Sequence, residues 1–370
     1  MDAFDVVIVG GGPAGSSCAW KLRQAGLRTL VMDKKRFPRD KPCAGWITPQ
    51  VVQALQLNVE QYQQGRTWQP ITGFRCGIIG GGELEIRYGT AISFGIRRYE
   101  FDAYLLSRAG ADQRLDEPVD RIERQGRGWV INGRYAAPML VGAGGNVCPV
   151  ARWLGARHKS LGSVVIAQEV EFRPDAGSFG NVRADTPALY FCQDLRGYGW
   201  CFRKGEYLNL GLGRTEAEGF QAHMAQFREF LGSQGFACGN CERPWKGHAY
   251  QLHDQVDPLR SDEGVLLIGD AAGLAYCQSG EGIRPAVESG LIAADVILKA
   301  EGHYRHETLR TYQTRLEARL GKPQRQSLIS RLPAAWLQSI ASRLLASRWF
   351  SRHIVMDQWF LHRGDEALSM

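Results

Sequence analysis

Three glycines near the start of the chain, in Gly10-x-Gly12-x-x-Gly15, have the spacing that lets a backbone approach a pyrophosphate. The first permits a tight turn, the second leaves room for the phosphates, and the third lets a helix lie close to a strand. A helix opening at this turn aims free N–H groups and a positive dipole end at the phosphates. Asp33, eighteen residues past Gly15, stands where an acid accepts hydrogen bonds from a ribose. Together these residues suit an adenine dinucleotide. A second group is weaker: Cys238-Gly-Asn-Cys241 is a lone C-x-x-C, and zinc requires another pair of ligands at similar spacing. His248 and His253 are candidate ligands, but Pro244 and a strand intervene, so no metal is expected, and loop thiols or a reversible disulfide remain. Tyr198 and Trp200 alternate with Gly199 and Cys201 and so share one side of a strand with Phe202, as a pocket wall or as core aromatics. No Ser-His-Asp triad or carboxylate pair stands out.

The elements that must position these residues can be read from periodicity. Residues 4–9 are an apolar, β-branched run, residues 16–24 have helical spacing with Gly26 as a stop, and residues 29–32 are a second apolar strand ending at Asp33, which completes a βαβ unit. Residues 74–88 predict a hairpin turning at Gly80-Gly81-Gly82, residues 101–109 a helix, and residues 121–134 two short strands turning at Gly126-Arg127-Gly128. A buried strand at 139–141 ends in Gly142-Ala143-Gly144-Gly145. From 164 to 213 the texture changes to alternation, at 164–172, 188–193, 198–202 and 207–212, which marks half-buried antiparallel strands. A helix at 216–231 follows, then a short buried strand at 265–268 ending in Gly269-Asp270, and a long helix at 282–300. The tail from 332 to 361 carries Trp336, Leu337, Ile340, Leu344, Leu345, Trp349, Phe350, Trp359 and Phe360 among Arg343, Arg348 and Arg352. It reads as helices over the inserted domain or as a peripheral membrane face.

The chain has 370 residues, which at about 150 per domain implies two to three units with a cleft between them. Its net charge of +7 is scattered, with no basic run long enough to track a phosphate backbone, so nucleic acid is not expected as a partner. Nine cysteines, an odd number in a chain with a large core, read as thiols in a reducing cytoplasm. No stretch approaches the ~18 uninterrupted apolar residues of a membrane span, and no export leader is expected.

Two further stretches carry a resemblance. The segment from Gly264 through Gly269-Asp270 to Leu274, followed by Ser279-Gly-Glu-Gly-Ile283, resembles the second fingerprint of FAD-dependent enzymes with the para-hydroxybenzoate hydroxylase type of fold. In that family the aspartate holds the ribityl chain, the glycine-rich helix start lies against the flavin ring, and an arginine matching the one in Arg98-Tyr-Glu-Phe-Asp102 supports the FAD. Phe37-Pro-Arg-Asp-Lys-Pro-Cys43-Ala-Gly45, and Tyr198-Gly-Trp200-Cys-Phe202 followed by Gly211-Leu-Gly213, are similar to the paired signatures of the geranylgeranyl reductase family, which reduces isoprenoid double bonds with reduced FAD. Three positions depart from these patterns: Arg203 replaces a proline, Ala44 replaces a glycine, and Gly144 stands where related hydroxylases carry an aspartate.

The resemblance implies an α/β, Rossmann-like FAD-binding domain formed by residues 1–73, 93–160 and 255–310. It implies an inserted antiparallel β-sheet substrate domain at 74–92 and 161–254 and a helical C-terminal cap at 311–370. It implies cofactor contacts at Gly10, Gly12, Pro13, Ala14, Gly15, Asp33 and Lys34, then at Ala44, Gly45, Arg98, Val119 and Gly144. Gly269, Asp270, Gly280, Gly282 and Ile283 complete that set. Cys43, Tyr198 and Trp200 are the implied catalytic residues, Cys43 as a proton donor or modulator beside the flavin unless it only fills the loop. The implied activity is reduction of carbon–carbon double bonds in a lipophilic, isoprenoid or polyketide-like substrate, with NADPH or another reductant as a transient donor. The alternative is a flavin-dependent monooxygenase or halogenase of the same fold. A cytoplasmic protein, with peripheral membrane contact as a further expectation, fits both.

Overall fold

Residues 6–9 are Val, Val, Ile and Val, β-branched side chains that fit a pleated surface and leave no polar face to solvate. They form a fully buried strand, Val6–Val9, inside a six-stranded sheet. Its order is Ser261–Asp262, Val265–Leu267, Met139–Gly142, Val6–Val9, Thr29–Asp33, Asp112–Leu115, and every pair except the first is parallel. The structure, a computed structural model, describes residues 1–155, 164–174, 178–236, 243–253, 260–322 and 343–369. Parallel strands need crossovers that cover the sheet faces, and helix Pro13–Gln24 makes the first of them. Helix Ile283–Lys299 crosses it so closely that a Cβ on Gly290 would lie 2.3 Å from the Ala14 carbonyl oxygen. Only a glycine permits that approach.

The alternating stretches build a second sheet, ordered Lys246–Gln251, Val164–Phe172, Tyr207–Arg214, Gly197–Lys204, Ala188–Phe191, Gly73–Ile78, Glu83–Arg87. One pairing departs from the antiparallel expectation: Ala188–Phe191 runs parallel to Gly73–Ile78, the first strand of the expected hairpin. The helix expected at 216–231 begins only at Phe220, because Gly219 in front of it takes a left-handed conformation, φ 66°, and it ends at Ser233. Its apolar side, with Met224, Phe227 and Phe230, packs on the back of this sheet, where a Cβ on Gly199 would lie 2.4 Å from the Phe227 ring.

Of the tail read as helical, residues 323–342, and with them Trp336, Leu337 and Ile340, lie outside the described residues, as do Cys238 and Cys241. The described part is a short turn, Arg348–Phe350, continuing into a π-helical segment, Ser351–Phe360. Phe360 packs on Trp46, Phe191 and Tyr198, with ring centroids 5.8, 6.3 and 5.2 Å away. Trp349 is 64% exposed. Among the described residues no helix is long and apolar enough to cross a membrane.

Candidate active site

The glycine turn, the second fingerprint and the aromatic strand open onto one cavity of about 600 Å³ lined from both sheets, within the range of small-molecule pockets. Helix Pro13–Gln24 begins at Gly12 with no side chain capping it, so its first amides are available to a ligand. A Cβ on Gly12 would meet only the Arg39 guanidinium, at 3.4 Å, whereas one on Gly10 would strike the Ala143 carbonyl at 2.2 Å. The turn is therefore closed behind Gly10 and open at Gly12. Asp33 ends the second strand with its carboxylate accepting from the Gly11 amide at 2.8 Å and the Lys35 amide at 2.9 Å, which fixes it at the rim.

A second helix start meets the same cavity. Ile283–Lys299 begins at Gly282, again without a side-chain cap at that residue, and the preceding Glu281 accepts from the Arg284 amide at 2.9 Å. Gly280 has φ 67°, and a Cβ there would lie 2.4 Å from the Tyr250 hydroxyl oxygen. One uncapped helix start, a second whose Arg284 amide alone is taken by Glu281, and an open glycine cradle on one cavity fit FAD: the first start and Asp33 for its pyrophosphate and ribose, the second for charge on its ring.

Most of the residues anticipated from sequence come together on this cavity. Gly10, Gly12, Pro13, Ala14, Asp33 and Lys34 line it on one side. Cys43, Ala44, Gly45, Arg98, Val119 and Gly144 follow, and Tyr198, Trp200, Asp270, Gly280, Gly282 and Ile283 complete the wall. Two anticipated contacts do not line it. Gly15 lies beneath the turn, where a Cβ would be 1.9 Å from the Gly10 carbonyl oxygen, and Gly269 is buried with a Cβ position 2.9 Å from the Ala14 side chain. Both let backbone segments approach one another rather than a ligand. Phe202 shares the strand face of Tyr198 and Trp200 but is fully buried against Trp46 and Phe74, with centroids 4.9 and 6.4 Å away, so the aromatic wall stops at Trp200. An aspartate in place of Gly144, as in related hydroxylases, would be crowded, since its Cβ would lie 3.1 Å from Cys148 Cα.

Two buried ion pairs stand in the cavity wall. Arg98 is buried in a two-pronged contact with Asp102, 2.7 Å for each bond, and also has the Cys43 side chain as a hydrogen-bond partner. Asp270 takes the Lys41 ammonium at 2.8 Å and lies 3.7 Å from His248 Nε2. Burial alone would raise the Asp270 carboxyl, but Lys41 and His248 outweigh it and hold the group well below the usual carboxylate range. Burial pushes the His248 imidazole down, so it sits beside Asp270 mainly neutral at pH 7. His248 had stood out only as a candidate metal ligand; among the described residues no cluster of three or more metal-type ligands occurs.

Two carboxyls that sequence reasoning passed over line the same space, Glu169 and Glu281. Burial pushes both up to about 7, against the pull of Lys204 and Asn209 on Glu169 and of the Arg284 amide on Glu281. The strand Val164–Phe172 gave little signal for Glu169, which shares its phase with Val165 and Ala167 but also with Glu171, while Ile166, Val170 and Phe172 mark the opposite phase as apolar. Lys41 and Tyr250 carried none.

Glu281 gives a pH prediction. Its folded pKa lies above the unfolded carboxyl value of about 4.3, so the folded state binds the extra proton between those values and stability falls as pH rises through that window. The melting temperature of Glu281→Gln minus that of the wild type is therefore expected to climb between pH 5 and pH 8. A flat difference would mean that Glu281 is ionised without penalty.

The family model for FAD dependent oxidoreductases matches residues 5–93. An uncharacterised protein of Methanosarcina barkeri is 31% identical over 309 residues, covering 80% of this chain and 75% of that one. Digeranylgeranylglycerophospholipid reductase 3 of Methanosphaera stadtmanae is 26% identical, covering 86% of this chain and 83% of its own. Among solved structures, a geranylgeranyl bacteriochlorophyll reductase-like protein from Thermoplasma acidophilum superposes with a TM-score of 0.81 over 98% of both chains at 20% identity, a likeness of fold.

Proposed function

Because the chain belongs to the geranylgeranyl reductase family of FAD-dependent oxidoreductases, we propose that it reduces carbon–carbon double bonds of a lipophilic isoprenoid substrate. The observation that carries this reading is the apolar wall of Tyr198 and Trp200 on the same cavity as the two helix starts. The relative named as a digeranylgeranylglycerophospholipid reductase supports the substrate class.

FAD, when bound, supplies the two-electron chemistry as a hydride donor. The open backbone at Gly12 and the first amides of Pro13–Gln24 would hold its pyrophosphate, and the start of Ile283–Lys299 would favour negative charge on it. Asp270 is kept anionic by Lys41 and so remains an acceptor for hydroxyl groups. Tyr198 donates its hydroxyl to the Ser279 carbonyl, which fastens the aromatic strand to the loop before the second helix start. Trp200 is clamped through Nε1 to Asn209 Oδ1 at 2.7 Å, and its indole crosses Gly211, where a Cβ would lie 2.1 Å from the ring. These contacts hold two large apolar surfaces still while a flexible polyprenyl chain is ordered against them. Cys43 sits between Arg98 and this wall, in place for a supporting role in proton handling.

NADPH or another reductant is the transient electron donor in this reading. With no acid at Gly144 and no second glycine turn of the dinucleotide type, NADPH binding to the oxidised protein is expected to be weak, and a submicromolar Kd by titration calorimetry would contradict this. Exposed Leu344 and Trp349, beside Arg343 and Arg348, support a peripheral contact with the membrane that holds such substrates.

The test is anaerobic. The flavoprotein is reduced with dithionite, the excess removed, and reoxidation timed with geranylgeranyl diphosphate, with a digeranylgeranylglycerophospholipid, and with oxygen alone. Reoxidation by either polyprenyl compound with formation of the saturated product is the expected result. Fast reoxidation by oxygen and none by the polyprenyl compounds would replace the reductase with a monooxygenase.

A further inference from the structure

Reducing an alkene takes a proton as well as a hydride, and the cavity holds a carboxylic acid on its substrate side. Glu169 is 6% exposed and lines the cavity together with Trp200, Ala167 and Cys43. Asn209 Nδ2 donates to Glu169 Oε2 at 2.9 Å and to the Cys43 carbonyl at 3.2 Å, while Asn209 Oδ1 accepts from Trp200 Nε1. One asparagine thus ties the acid, the indole wall and the Cys43 loop into a single unit. Gly211, the cross-strand partner of Glu169, is the residue over which the indole lies.

Resting on the reductase reading, we propose that Glu169 is the acid that protonates the substrate. As the Glu169 O–H bond breaks, a C–H bond forms at one alkene carbon. The alkene π pair makes that bond, and hydride from the reduced flavin forms the second C–H bond at the neighbouring carbon. The substrate gains two electrons and two hydrogens, the flavin loses two electrons, and Glu169 is left as a carboxylate that takes a proton back from solvent. Positive charge developing at the hydride-accepting carbon meets the indole face of Trp200 and the new carboxylate.

The charged and titratable groups facing Glu169 support a proton held at neutral pH. Lys204 and the Asn209 amide favour the anion, Glu171 two residues along the same strand opposes it, and burial outweighs both cationic and hydrogen-bond help, leaving a group that titrates at about 7. Lys204 is itself spent on Glu171, at 2.7 Å, and on the Ile96 carbonyl. From Lys246–Gln251, His248 is turned to Asp270, and Tyr250 is pushed above the ordinary phenol value. The Tyr198 phenol is also raised well above its ordinary value, by burial, which makes it a poorer acid than the carboxyl. Glu281 is bound to the head of its helix through the Arg284 amide.

The experiment uses the FAD-loaded wild type, Glu169→Gln and Glu169→Asp. Infrared difference spectra across pH 5–9 are expected to show a protonated-carboxyl band that titrates near neutrality and is missing from Glu169→Gln, whether or not substrate is present. In anaerobic single turnover with geranylgeranyl diphosphate, Glu169→Gln should slow by a hundredfold or more, the usual contribution of a general acid, and lose the decline in rate above pH 7. FAD content and dithionite reduction should remain those of the wild type. Glu169→Asp should recover part of the rate with a shifted pH limb, and this arm decides the matter if the glutamine variant fails to retain FAD. No band assignable to Glu169, or equal rates in wild type and Glu169→Gln, overturns the donor. A wild type that keeps the band but reduces no polyprenyl compound overturns the reductase reading and the donor role with it.

Discussion

A Gly12→Leu protein is expected to fold normally and to be purified without FAD. Gly12 has φ −72°, which a leucine adopts without strain, and a Cβ there points into open cavity with only the Arg39 guanidinium at 3.4 Å. The added side chain fills the space a pyrophosphate must enter to reach the first amides of Pro13–Gln24. Gly15→Ala three residues on should behave in the opposite order: its Cβ falls 1.9 Å from the Gly10 carbonyl oxygen, so the turn itself must deform, at a cost of about 1–3 kcal/mol or more. FAD released on denaturation and thermal melts on the two variants separate the cases. Leucine at position 12 with full FAD occupancy would move the pyrophosphate away from this turn.

Trp200→Ala has the next largest expected effect, and the structure changes what it should show. Sequence left the aromatics as either pocket wall or core; Trp200 is both, 6% exposed within a core cluster yet lining the cavity. Its removal should cost about 3–5 kcal/mol of stability for the void and leave Asn209 Oδ1 without its 2.7 Å donor. It should also remove roughly 1.5–3 kcal/mol of apolar contact from a bound polyprenyl chain, a tenfold or greater loss of affinity. Melting temperature, flavin content and binding of geranylgeranyl diphosphate, read on this one variant, are the measurements. A destabilised protein that binds the ligand as tightly as the wild type would retire Trp200 as a substrate-facing surface.

Legibility from sequence tracked the range of the interaction. Val6–Val9, the glycine turn and Asp33 are one local unit, whose strand, turn and helix follow from neighbouring residue types, and it stands where periodicity placed it. The alternating strands were equally readable because a half-exposed strand repeats every two residues. Depth was not readable: Tyr198, Trp200 and Phe202 have the same phase, yet only the packing of Trp46 and Phe74 decides that Phe202 is sealed. The roles of Lys41 and His248 were unreadable for a related reason. Their meaning comes from meeting Asp270, over two hundred residues from Lys41, through contacts that no local pattern encodes. Glu169 belongs with them, because its phase is shared by Glu171 and only the packing of the sheet buries it.

The order of strands in the six-stranded sheet has a consequence for how the chain is made. Met139–Gly142 receives its outer neighbour, Val265–Leu267, only after nearly three quarters of the polypeptide has been synthesised, and Pro13–Gln24 waits still longer for Ile283–Lys299. Until then the glycine turn lacks the helix that packs against Ala14 through Gly290. The nucleotide-binding unit is thus completed last although its fingerprint leaves the ribosome first. Nascent chains ending before residue 283 are therefore expected to take up no flavin, which FAD released from stalled chains would measure.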